Sequence, residues 1–61
     1  MPLVAVMTVF EFKMWFEDLK KITTDFHIRI VNGGTSVHGY TFQTMLKQLP
    51  PNVHVQYNNV K

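Results

Sequence analysis

The side chains in this chain best able to do chemistry are three histidines, His27, His38 and His54. Imidazole nitrogen is a common ligand for zinc, and local metal motifs set their ligands at spacings such as His-x-His or His-x-x-x-His. No two of the three histidines stand at such a spacing, and the sequence offers no acidic residue at ligand spacing to them. The expectation is therefore no metal and no cofactor, with the histidines as solvated strand residues. Nucleophiles are equally scarce. The chain has no cysteine, and its one serine, Ser36, lies between Thr35 and Val37 rather than in a nucleophile elbow. Glu11, Glu17, Asp18 and Asp25 are accounted for by helix surface or strand opening. Gly33-Gly34 is not followed by a lysine in Walker spacing, so it reads as a turn and not as a phosphate loop. No catalytic constellation emerges, and the chain reads as non-enzymatic.

Binding is better supported. Asp25 to Val31 alternates, with Phe26, Ile28 and Ile30 on one side and Asp25, His27 and Arg29 on the other. Val53 to Tyr57 alternates too: Val53, Val55 and Tyr57 face the core, His54 and Gln56 face away. His27, Arg29, His54 and Gln56 thus share a sheet face free of helices. Phe10 and Met14 sit at the flank of the first helix stripe and complete the candidate partner-binding set. A surface of this kind suits a protein partner or a second copy, since uncovered sheet faces and edges need protection. The second reading is nucleic acid. Sheet faces of RRM-like domains stack bases on aromatics, but Phe26 and Tyr57 follow the core phase here.

The elements that must position these residues follow in order. Leu3 to Met7 is a short apolar run, read as a strand with apolar side chains on both faces and so with cover on both. Thr8-Val9-Phe10-Glu11 fits a capping box opening a helix from Val9 to Ile22. Its stripe is Phe12, Trp15, Phe16, Leu19 and Ile22, and Glu17–Lys21 forms a favourable i,i+4 pair. After the strand from Asp25, Asn32-Gly33-Gly34 predicts a hairpin turn, with Thr35 to His38 as the return strand and Val37 inward. Thr41 would cap a second helix, Phe42 to Leu49, with Phe42, Met45, Leu46 and Leu49 inward. Pro50-Pro51 would stop it.

The order is β-α-β-β-α-β in one domain, residues 1–61. The expected fold is an α+β two-layer open-faced sandwich, with two helices on one face of a four-stranded, mainly antiparallel sheet. It would be HPr-like, as in the phosphocarriers described next, or ferredoxin-like. In the first arrangement (1-4-2-3) the strands of His27 and His54 are neighbours, and in the second (4-1-3-2) they lie at opposite edges. The expected core adds Phe26, Ile28, Ile30, Phe42, Met45, Leu46, Val53 and Val55 to the helix stripe.

Lys20-Lys21-Ile22, Thr24-Asp25-Phe26, Asn32-Gly33 and Val37-His38-Gly39-Tyr40-Thr41-Phe42 together resemble the histidine-containing phosphocarrier protein (HPr) family, over roughly Trp15 to Tyr57. The resemblance implies the open-faced sandwich and a degenerate phosphocarrier as a third reading of function. The family's phosphorylated histidine falls at Thr8 and its arginine at Phe10, neither of which can carry or clamp phosphate in the family's manner. Its regulatory serine falls at Thr41. The family's long C-terminal helix has no counterpart.

Composition sets limits on these readings. A domain of 61 residues buries only about 60% of its unfolded surface, and without cysteine it has no disulfide staple. A net charge of +2 is too small to argue for nucleic acid by itself. The apolar run Pro2–Met7 is far short of the ~20 residues that span a bilayer, and no lysine or arginine precedes it. The expectation is a cytoplasmic protein without a membrane partner, a small regulator or inhibitor that binds a protein and forms a homodimer.

Overall fold

The computed structural model describes residues 3–57 as β1 (Leu3–Met7), α1 (Val9–Leu19), β2 (Phe26–Ile30), a 3₁₀ turn (Gly34–His38), α2 (Tyr40–Gln48) and β3 (Val53–Tyr57). The strands make one three-stranded sheet in the order β1-β2-β3, and both pairings are parallel. This corrects the expected four-stranded, mainly antiparallel sheet, and with it both the HPr-like and the ferredoxin-like strand orders. The protein is a small α+β unit of β-α-β-α-β order.

The missing strand is the segment read as a hairpin return. Asn32 and Gly34 do adopt positive φ, 53° and 52°, as the Asn-Gly-Gly segment allows. They turn the chain out of the sheet plane instead of back along β2. Ser36 N–H then donates to Gly33 O (3.0 Å) and Gly39 N–H to Ser36 O (3.1 Å), closing the 3₁₀ turn. Val37 is buried, as its inward assignment requires, but from this turn and not from a strand. Parallel strands need crossovers of a dozen or more residues, and the segments after β1 and after β2 are each long enough and each carry a helix.

α1 begins as its capping box specifies. Thr8 Oγ1 accepts from Glu11 N–H (3.1 Å), and Glu11 Oε1 accepts from Thr8 N–H (2.9 Å). The helix ends at Leu19, short of the expected Ile22. Glu17 pairs with Lys20 (3.1 Å) in place of Lys21, and Lys20 also lies 4.9 Å over the Phe16 ring. α2 is capped by Gly39, so Thr41 is not the N-cap but an exposed first-turn residue. Leu49 is extended (ψ 148°) as a residue before proline must be, and the helix stops there.

Both helices lie on one face of the sheet. Val9, Phe12, Phe16 and Leu19 from α1, Val37 and Phe42 pack with Ile28, Ile30 and Val53 of β2 and β3. Ile22, Phe26, Met45, Leu46 and Val55 border this core half-buried. Trp15 is the exception among expected core residues, at 53% exposed. At 100° per residue it stands about 80° from the centre of the Val9-Phe12-Phe16-Leu19 stripe, and a three-stranded sheet is too narrow to cover that flank. Trp15→Ala is accordingly expected to lower stability by under ~1 kcal/mol in urea unfolding; a loss of ~3–5 kcal/mol would return the indole to the core.

Gly33 leaves no room for a side chain. A Cβ there would lie 2.5 Å from Val37 Cγ1, 3.3 Å from Val9 Cγ2 and 3.4 Å from Ile30 Cγ2, and all three neighbours are buried. Gly33→Ala is expected to cost about 1–3 kcal/mol, as overpacking does. An unchanged denaturation midpoint would show that Val37 can swing away.

Candidate functional site

The parallel register builds the open face from side chains in two rows. Val4 of β1, His27 of β2 and His54 of β3 are aligned, and so are Val6, Arg29 and Gln56. Side chains alternate across a strand, so these six share the face that carries no helix. All of them but Val6 line a shallow groove together with Ile28 and Val55. The face is divided: apolar along β1, where Val4 and Val6 are 66% and 61% exposed, and polar along β2 and β3.

His27, Arg29, His54 and Gln56 are therefore brought together. Phe10 and Met14 are not part of that surface. They are 71% and 64% exposed on α1, on the side pointing away from the core stripe, and α1 itself covers the other face of the sheet. The candidate set is two surfaces on opposite sides of the domain. Val4 and Val6 belong to the first, as the alternate residues of β1 that the open face was expected to show. Their signal was the apolar character of β1 on both phases.

At the amino end of the strands the face carries a cluster. His54 Nε2 lies 2.7 Å from Asp25 Oδ1, and His27 Nε2 lies 3.6 Å from Asp25 Oδ2. The two imidazoles are stacked, with ring centroids 4.5 Å apart at 27°. Each of the three side chains is 43–60% exposed. The His27–His54 alignment comes from the β2–β3 pairing, and Asp25 stands immediately before β2.

Asn52 holds this arrangement. Its Nδ2 donates to Ile22 O (2.7 Å) and Thr24 O (2.9 Å), while its backbone carbonyl accepts from Phe26 N–H (2.9 Å). The turn before β3 is thereby pinned to the loop before β2, which fixes His54 beside Asp25. Asp25-Phe26-His27 sets a carboxylate two residues from an imidazole on one strand phase, a spacing that the reading of no acidic residue near the histidines passed over. The cluster's third member, His54, depends on a strand register that only the fold supplies.

The carboxyl end of the sheet, where open α/β sheets place ligands, offers less. The first turn of α1 is filled by its own Glu11 carboxylate, which occupies the position an anion would take. Thr8 is engaged as the helix cap, and Thr41 is solvent-exposed. His38 lies apart from the cluster, exposed in the 3₁₀ turn. Among the described residues the open face presents one guanidinium and no phenylalanine, tyrosine or tryptophan, so base-stacking chemistry lacks its platform there. No helix of the described chain is long and apolar enough to cross a membrane.

Comparison of the chain with protein-family models, with curated proteins and with solved structures finds no match.

Proposed function

We propose that this protein is a non-enzymatic interaction module that self-associates through the β1 flank of its open sheet face. One observation carries the reading: a fully parallel sheet with helices on one face only. Parallel strands are ordinarily covered on both faces. Here β1 is apolar in both phases, yet Leu3, Val4 and Val6 are all more than 60% exposed. A second copy related by a two-fold axis would bring Val4 and Val6 against their own equivalents, as an isologous contact requires. It would also shield the free edge of β1, whose unpaired backbone groups otherwise invite further strands. A small regulator could act in this way, by occupying a matching surface.

Sedimentation equilibrium over a wide concentration range tests the reading. A monomer–dimer equilibrium is expected. A monomer at every concentration up to the millimolar range would remove it.

A further inference from the structure

We propose that Asp25, His27 and His54 form a binding site for a divalent transition-metal ion, with zinc the best fit. The site goes beyond self-association: none of its three ligands lies on β1, although His27 is the direct neighbour of Val4 across the β1–β2 ladder.

The argument is geometric. The Nε2 atoms of both imidazoles converge on the same carboxylate, at 2.7 Å and 3.6 Å from its two oxygens. One ligand atom from each residue can be chosen so that all three lie within 4.8 Å of one another. Zinc bound to nitrogen or oxygen at about 2.0–2.2 Å holds neighbouring tetrahedral ligands about 3.3 Å apart. The present separations bracket that value, so small side-chain rotations suffice. Two imidazoles and a carboxylate form an N₂O donor set suited to zinc and its neighbours, and poorly suited to magnesium or calcium, which prefer oxygen alone.

The support behind the ligands is also in place. β2 and β3 fix the two imidazoles side by side, and the Asn52 hydrogen bonds fix the Asp25 loop against the turn before β3. Three protein ligands leave an open position facing solvent, the arrangement of a site that exchanges water or a further ligand. A structural zinc site would be closed by a fourth side chain, and among the described residues no further histidine, cysteine or carboxylate joins the cluster.

Histidine NMR during a zinc titration of the whole chain tests the site. The expected result is saturation at one zinc per chain below ~0.1 mM, shifting the ring signals of His27 and His54 while His38 stays unchanged. Asp25→Asn should weaken binding at least about tenfold, and His54→Ala should abolish saturation. Amide spectra would confirm that both variants fold, as expected for exposed positions. Failure to saturate, an equal response from His38, or half a zinc per chain would each overturn the site. Magnesium at the same concentration should leave all three histidines unmoved, and an equal response to it would count against a nitrogen-based site. A protein that proves monomeric but saturates with zinc keeps this inference and loses the dimer, and the reverse result does the opposite.

Discussion

Phe12→Ala should leave the chain largely unfolded at 25 °C. Phe12 is 0% exposed, and its ring lies 6.0 Å from that of Phe16 and 5.3 Å from that of Phe42. Phe42 in turn meets the Tyr57 ring edge-on at 5.5 Å. Removing Phe12 therefore opens the middle of an aromatic chain that ties α1 to α2 and α2 to β3. Phenylalanine-to-alanine changes in cores cost about 3–5 kcal/mol. A single core in a chain below about 70–80 residues rarely supplies more than ~3–5 kcal/mol of net stability. The loss consumes most or all of it, because no disulfide holds the remainder together. Circular dichroism should show loss of helix and no cooperative melt, whereas Phe12→Leu, which keeps most of the volume, should still melt cooperatively. A Phe12→Ala melt within a few degrees of the parent would mean that this ring is not the centre of the core.

The second large effect concerns association. Val4→Lys combined with Val6→Lys should weaken the dimer at least about 100-fold and leave the fold intact. Both side chains are mostly exposed, so the monomer loses little. In a symmetric contact the pair is buried twice. Full burial of a valine-sized side chain is worth about 1.5–3 kcal/mol, and even half of that, over four side chains, exceeds the 2.8 kcal/mol or so that 100-fold represents. Four lysines facing one another add repulsion. The matched control is Phe10→Lys with Met14→Lys, on the outward side of α1, which should leave the sedimentation profile unchanged. If the control pair dissociates the dimer and the valine pair does not, the interface is the outer surface of α1.

The elements whose signals are local were legible. The capping box at Thr8, the proline stop after Leu49, and the alternation of β2 and β3 each depend on residues within a few positions, and the structure places them as expected. The sheet was misread at Asn32-Gly33-Gly34, because residues that tolerate positive φ serve a hairpin and a departure from the sheet equally well. What separates the two outcomes is Val37, which fills the space above Gly33 and draws the following turn into the core. Trp15 was misplaced because a helical stripe does not reveal how wide a sheet will lie beneath it. The face shared by His27, Arg29, His54 and Gln56 survived the change of topology, since strand alternation alone assigns it. The association of His54 with Asp25 did not follow from alternation, because it requires knowing that β2 and β3 are adjacent and in what register.

All strand pairing among the described residues is distant in sequence: Leu3 aligns with Phe26, and Phe26 with Val53. Among the described residues no hairpin exists to form first and template the rest. Each ladder must await closure of a long loop, whose entropy is lost before any sheet hydrogen bond compensates. A chain this short with helices on one side would otherwise rank among the fast folders. Here the rate is governed by how early α1 and α2 take shape, because a formed helix shortens the loop that remains to be closed. β2, which pairs on both sides, is the strand on which the two closures meet. Until the second is complete, the β2 edge stands open to a neighbouring molecule. Refolding at high concentration therefore sets native pairing with β3 in competition with pairing between chains.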